Sequence, residues 1–318
     1  SNFDNEIFYH LGDLYLSDNN YEEALVWFSK VQPRLLSSTL SVDAIFKTGY
    51  CHFMEGDQKK GMSYFRQLKG REGKYASSIS YYQAHLDYEN GKYDTALPVF
   101  LSLESDAGFK KVVPYYIAQI YYLQGNYDEA IRYAEPLIAG SKGDRSIDMA
   151  RVVGDSYFQK KEYSQASSFY QVIFDQSKKI KREDYYHMGY CKYVGKDYAQ
   201  ASELLAQVTT GDDAMAQNAY YHLADCYLKQ NDKKRARVAF EAASRFDFDK
   251  KISEDASFNC LKLNYELSFS PFNEIINSFL AFIEKYPDSP NIDQAYDYLG
   301  KAFVTSKNYK EALQSMER

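Results

Sequence analysis

Aromatic, small and polar positions fall along this chain in a pattern that returns. Its clearest copy is Tyr115-Tyr116-Ile117-Ala118-Gln119-Ile120-Tyr121-Tyr122-Leu123-Gln124-Gly125-Asn126-Tyr127-Asp128-Glu129-Ala130, which reads as a helix, a turn and the start of a second helix. Each copy has a small residue in its first helix: Gly12, Gly49, Ala84, Ala118, Gly154, Gly189, Ala224 or Gly300. Successive spacings are 37, 35, 34, 36, 35, 35 and 76, the last being two periods. Twelve residues after each of these stands Ala24, Gly61, Ala96, Ala130, Ala166, Ala201, Ala236 or Ala312. Nine residues after it stands a tyrosine in six of the eight copies: Tyr21, Tyr93, Tyr127, Tyr163, Tyr198 and Tyr309. Gly and Ala together fill roughly a seventh of an average chain. Sixteen small residues in sixteen slots therefore specify packing.

Small side chains at these places predict two helices crossing within the ~8–10 Å contact distance. Asn19, Gly91, Gly125 and Asn231, ahead of the turn, suit the left-handed conformation that ends a first helix. The tyrosine then packs back over the turn, and Glu22, Asp94 and Asp128 suit the N-terminal end of the second helix. The arrangement predicts about nine units in one elongated domain over 1–318, near 5–37, 42–72, 77–109, 111–143, 147–179, 182–214, 217–250, 254–288 and 291–318. The final copy stops at Arg318 before its second helix is complete, so the chain reads as a segment of a longer protein.

Departures from the pattern carry their own expectations. Around 254–286 the motif is degenerate, and a first helix over Glu254 to Leu267 is expected there. Ser270 as N-cap and Pro271 in the first turn would lead into a second helix from Phe272 to Lys285. Gln58 and Gly61 replace the usual Tyr and Ala, which predicts a looser turn in the second repeat. Pro136 should kink or shorten its helix. Loops are expected at 104–112, 139–147 and 209–213.

This pattern resembles the tetratricopeptide repeat (TPR) family over nearly the whole chain, including the aromatic three residues after the first small residue (Tyr15, Tyr121, Tyr157, Tyr227). The resemblance implies an all-α fold, a right-handed superhelical α-solenoid whose first helices (A) line a concave groove and whose second helices (B) lie outside. It also implies a peptide or protein partner in that groove. A narrower likeness lies in Phe279-Leu280-Ala281-Phe282-Ile283-Glu284-Lys285-Tyr286-Pro287-Asp288-Ser289-Pro290 with Ala295-Tyr296-Asp297-Tyr298-Leu299-Gly300. That junction is similar to bacterial envelope TPR proteins of the Tol–Pal coordinator type. It implies a periplasmic or outer-membrane-associated protein rather than a cytoplasmic one.

Composition adds limits. With 38 Lys+Arg against 44 Asp+Glu, the net charge of −6 gives no sign of a nucleic-acid-binding face. No stretch approaches the ~20 apolar residues of a membrane span. Catalytic motifs are missing as well. Gly70 to Lys74 gives a Gly-x-x-Gly-Lys fragment, but Tyr75 stands where a phosphate loop needs Ser or Thr. His10, His187 and His222 each sit two residues before their anchors, too far apart on stacked helices to share a zinc. Cys51, Cys191, Cys226 and Cys260 show no metal or disulfide spacing. The first three share one repeat slot and read as inert core thiols. The basic runs Lys178, Lys179, Lys181, Arg182 and Lys233, Lys234, Arg235, Arg237 read as solvated faces. No cofactor, no metal and no enzyme activity are expected.

The unusual count is 32 tyrosines. Positions three before, one after and four after each anchor point into the groove that the resemblance implies. They hold Tyr9, Tyr50, Tyr81, Tyr88, Tyr115, Tyr122, Tyr186, Tyr190, Tyr193 and Tyr221, with Asp13, Asp155 and Asp225 between them. The Lys, Arg and Asn that clamp a C-terminal carboxylate in many grooves of this family are mostly missing. Rigid amphipathic rings supply contact area at low entropy cost. The expectation is a non-enzymatic scaffold for a peptide segment or partner protein. Carbohydrate or peptidoglycan stacking on the same rings is the alternative.

Overall fold

The computed structural model describes residues 2–139, 143–308, 311 and 314, and every regular element among them is helical. Turn chemistry explains the helix pairing. In the second repeat Gly56, at φ +87°, donates its N–H to the Phe53 carbonyl, and Asp57 N–H reaches the His52 carbonyl at 2.9 Å. These bonds satisfy the last carbonyls of the first helix. The Asp57 carboxylate then accepts from Lys60 N–H at 3.0 Å and caps the second helix. One residue closes one helix and opens the next. Asn20, Asp197 and Asp232 do the same in their repeats. The looser turn expected from Gln58 and Gly61 is thus not found, because the Asp57 cap supplies the order.

A left-handed residue stands at the equivalent place in each turn: Asn19, Gly56, Gly91, Gly125, Lys161, Lys196, Asn231, Ser268 and Lys307. Lysine and serine are not the residues this conformation favours, so Lys161, Lys196, Ser268 and Lys307 gave no sequence signal.

The described chain forms two compact units, residues 1–126 and 127–318. The first holds α1 (Asn2–Ser17), α2 (Tyr21–Phe28), α3 (Ser38–Met54), α4 (Gln58–Gln67), α5 (Ala76–Glu89), α6 (Tyr93–Ser102) and α7 (Val113–Leu123). The second holds α8 (Tyr127–Ala139), α9 (Asp144–Gln159), α10 (Tyr163–Gln176), α11 (Arg182–Val194) and α12 (Tyr198–Ala206). It continues with α13 (Ala214–Lys229), α14 (Lys233–Ser244), α15 (Lys250–Glu266), α16 (Phe272–Lys285) and α17 (Ile292–Thr305). Within each unit a helix packs on its chain neighbours, and A helices also touch the next A helix, as α11, α13, α15 and α17 do in turn. Each unit is a stack of helix pairs, the organisation of an α-solenoid.

The small residues fill the crossings. All the described members of both small-residue sets are buried. Gly49 and Gly61 face each other so closely that a Cβ on Gly61 would lie 2.7 Å from the Gly49 carbonyl oxygen. Gly12 lies over Phe28, Gly154 over Tyr170 and Gly189 over Leu205. In each case a large B-helix residue uses the space that the glycine leaves.

Several boundaries differ from expectation. The A helix expected from Glu254 begins at Lys250, because Asp249 accepts from the N–H groups of Lys251 and Ile252. Pro271 is itself the N-cap of α16, with no side-chain bond, in place of Ser270. Residues 144–147, expected as loop, form the first turn of α9. The helix holding Pro136 is not shortened and runs on to Ala139. Tyr309 and Ala312, and the 140–142 part of one expected loop, lie outside the described residues.

Candidate partner-binding face

In three copies the slot three residues before the small residue meets the next A helix. Tyr9 is buried, its hydroxyl donating to Asp43 Oδ2 at 3.3 Å and accepting from Lys47 Nζ at 2.9 Å. Arg151 grips Asp184 with two bonds of 2.9 and 3.0 Å. Tyr221 donates to Asp255 Oδ2 at 2.7 Å. Burial pulls the Lys47 ammonium down, but its bonds to Asp13 and Tyr9 outweigh this and lift its pKa to about 12. In two further copies the slot ends on an aromatic ring instead: Phe46 stacks on Tyr75 at 3.9 Å, and Tyr81 on Phe109 at 4.7 Å.

Five of the expected tyrosines in the first unit are half-buried: Tyr50, Tyr81, Tyr88, Tyr115 and Tyr122. Four of them join through two rings that the sequence reading missed. Tyr82 touches Tyr50 (5.7 Å) and Tyr81 (5.3 Å), and Tyr116 touches Tyr81, Tyr88 and Tyr115. Tyr82 and Tyr116 occupy the slot two before their anchors. That slot drew notice for its histidines alone, and its tyrosines were the available signal.

In the second unit the same slot holds His187 and His222. The Asp155 carboxylate pairs with His187 Nδ1 at 3.1 Å and accepts from the Tyr170 hydroxyl at 2.7 Å. His222 is ringed by Tyr193 (4.8 Å), Tyr190 (5.0 Å) and Tyr221 (5.5 Å). Its Nδ1 is enclosed with no hydrogen-bond partner, and burial depresses its pKa to about 4. Tyr186 stacks on Tyr190 at 6.3 Å with the ring planes inclined by 27°, and the Tyr193 hydroxyl donates to Asp225 at 2.9 Å. All four expected tyrosines of this unit thus stand together.

Burial raises the pKa of five of the expected phenols, to about 12 for Tyr88 and Tyr186 and further for Tyr81, Tyr193 and Tyr221. They are neutral hydrogen-bond donors at physiological pH. The four cysteines are buried free thiols, with pKa values pushed by burial to about 12 for Cys51, Cys191 and Cys226 and about 11 for Cys260. Among the described residues no group of three or more His, Cys, Asp or Glu is placed to hold a metal. No described helix is long and apolar enough to cross a membrane. The arrangement offers ring faces, fixed carboxylates and hydrogen-bonding edges, the chemistry of recognition.

Sequence profiles described as tetratricopeptide repeat match residues 6–32, 43–74, 81–145 and 193–249, more than half the chain. Among solved structures, the apo form of the quorum sensor NprR from B. thuringiensis is similar, with 16% identity over 98% of this chain and 94% of that one (TM-score 0.52). The apo form of RapI is 15% identical over 98% of this chain and 97% of that one (TM-score 0.52). The C-terminal part of a TPR repeat-containing protein from Cytophaga hutchinsonii is 17% identical over 74% and 93% (TM-score 0.51). Likeness at such identities shows the fold alone. No curated protein matches the chain.

Proposed function

Because the chain belongs to the tetratricopeptide repeat family, we propose that it is a non-enzymatic interaction scaffold, its A-helix tyrosines forming the docking surface for a peptide segment or partner protein. One observation carries this reading. The expected tyrosines of α11 and α13 stand as a single half-buried set, with the Tyr193 and Tyr221 hydroxyls anchored on aspartates and the rings left partly open. An anchored ring has already lost its rotamer freedom, so a partner that packs on it orders little more.

Pull-down from a native extract tests the reading with a Tyr115→Ala, Tyr186→Ala, Tyr221→Ala triple variant. Buried aromatic anchors commonly contribute above ~1 kcal/mol each to an interface, so the triple variant should lose its partner while keeping its helical circular dichroism. Unchanged capture by a folded variant would move the docking surface to the B helices or the loops.

A further inference from the structure

The carboxylates of the A-helix face are not neutralised alike. In the first unit Asp13 pairs with Lys47, and Asp43 with Lys74. In the second, Arg151 holds Asp184, while Asp155 accepts from the Tyr170 hydroxyl with His187 Nδ1 3.1 Å away. Along α13 and α15 the pattern changes. Asp225 accepts from the Tyr193 hydroxyl, and Asp255 from the Tyr221 hydroxyl and from the amides of Asn259 (2.9 Å) and Asn291 (3.0 Å). Among the described residues no lysine, arginine or histidine forms an ion pair with either one.

Neutral donors orient a carboxylate without cancelling its charge. Asp225 and Asp255 are both only partly buried, and Asp225 Oδ1 is neither bonded nor enclosed. Both carboxylates bear on the Tyr221 phenol, and beside Asp225 stands the partly open ring of Tyr193, which touches Tyr190 and through it Tyr186. A cation brought here meets two fixed negative charges and aromatic faces at once, and ring faces attract cations in their own right. An acidic or neutral segment covering the same place would leave both carboxylates desolvated without a counter-charge, which disfavours it. The chain's net charge of −6 draws the same kind of partner from a distance.

We propose that the α11–α13–α15 stretch of this face takes a cationic peptide segment, an Arg or Lys side chain of the partner lying against Asp225 and Asp255 with the neighbouring tyrosine rings. The inference rests on the reading of the A-helix tyrosines as the docking surface, and names the chemistry of what docks there.

The test is to pan a phage-displayed library of random 12-residue peptides against three forms of the protein: wild type, Asp225→Asn/Asp255→Asn, and Tyr186→Ala/Tyr190→Ala. Asparagine keeps a carbonyl oxygen for the Tyr193 and Tyr221 hydroxyls, and at 255 its new amide meets the Asn291 side chain, which can turn its own oxygen toward it, so the double Asn variant removes charge with little change of shape. Sequences enriched on wild type should carry Arg and Lys at least threefold above their frequency in the unselected library. That excess should vanish on the Asn variant, and the tyrosine variant should lose the whole set. Enrichment without a basic excess, or an equal excess on the Asn variant, overturns the cationic assignment and leaves the docking face standing. No enrichment on wild type, or the same set retained by a folded tyrosine variant, overturns the docking face itself.

Discussion

Tyr221 reaches Asp255 across 34 residues of sequence, in the register by which Arg151 reaches Asp184 across 33. One slot of an A helix thus finds a carboxylate on the next A helix, whether the donor is a phenol or a guanidinium. The relation ties neighbouring repeats along their inner helices, where the small-residue crossings do not reach.

The Arg151–Asp184 pair is the most buried of these ties, with Asp184 1% exposed. Its two parallel bonds fit the planar fork of arginine. Removing one partner of such a pair typically costs 3–5 kcal/mol, and without Asp184 the Arg151 guanidinium keeps only the half-exposed Asp148 at 3.2 Å. Asp184→Ala should therefore lower stability by about 3 kcal/mol in urea denaturation. A loss below about 1 kcal/mol would show that Asp148 and water suffice to hold the Arg151 charge.

His222 makes stability depend on pH. The unfolded chain takes up its proton near the ordinary histidine pKa of ~6.5, whereas the folded chain does so only near about 4. Between those values the unfolded state binds more protons, so stability falls as pH falls through this window and levels off below it. The contribution is at most about 3.5 kcal/mol, from ~1.4 kcal/mol per pKa unit. His222→Phe, which abandons no hydrogen bond at Nδ1, should be less acid-sensitive than wild type between pH 6.5 and 4. Equal slopes of stability against pH in the two proteins would refute this assignment.

Lys196 sits at φ +64° on the surface. A side chain in the left-handed region costs roughly 1–2 kcal/mol, and glycine's freedom in the unfolded chain returns part of that. Lys196→Gly should raise stability by about 0.5–1 kcal/mol, and Gly91→Ala should lower it by a similar amount. Thermal melts of both variants check the two signs together.

The cysteines make a simple probe of the packing. All four are buried and protonated at neutral pH, and the thiolate is the reactive form. Ellman's reagent at pH 8 should titrate none within minutes in the native protein and four in guanidinium. Rapid native labelling of Cys260, the most exposed at 7%, would mark the α15 region as opening locally.

Sequence periodicity carried the pairing because small residues at a helix crossing have no substitute: Ala96, Ala130, Ala166, Ala201 and Ala236 are all fully buried where the pattern put them. It carried less of the candidate face. Asp43, Asp184 and Asp255 were passed over since each lies on a neighbouring repeat, and reading one repeat at a time cannot pair residues 33 or 34 apart. Tyr82 and Tyr116 were missed for a different reason. Their slot varies among His, Tyr, Lys47 and Val152, so no single residue type marks it.

The shared turn residue has a consequence for length. In all eight copies the first small residue of a pair stands twelve positions before the second, while the period runs from 34 to 37 and averages 38 over the last two. All the drift therefore falls in the stretches from a B helix to the next A helix, such as 103–112. An extra residue between Gly56 and Asp57 would swing α4 by about 100° and carry Gly61 away from Gly49. The same residue added near Gly108, which is exposed, would only lengthen a connection. Such a chain absorbs insertions between its pairs and rejects them inside a pair.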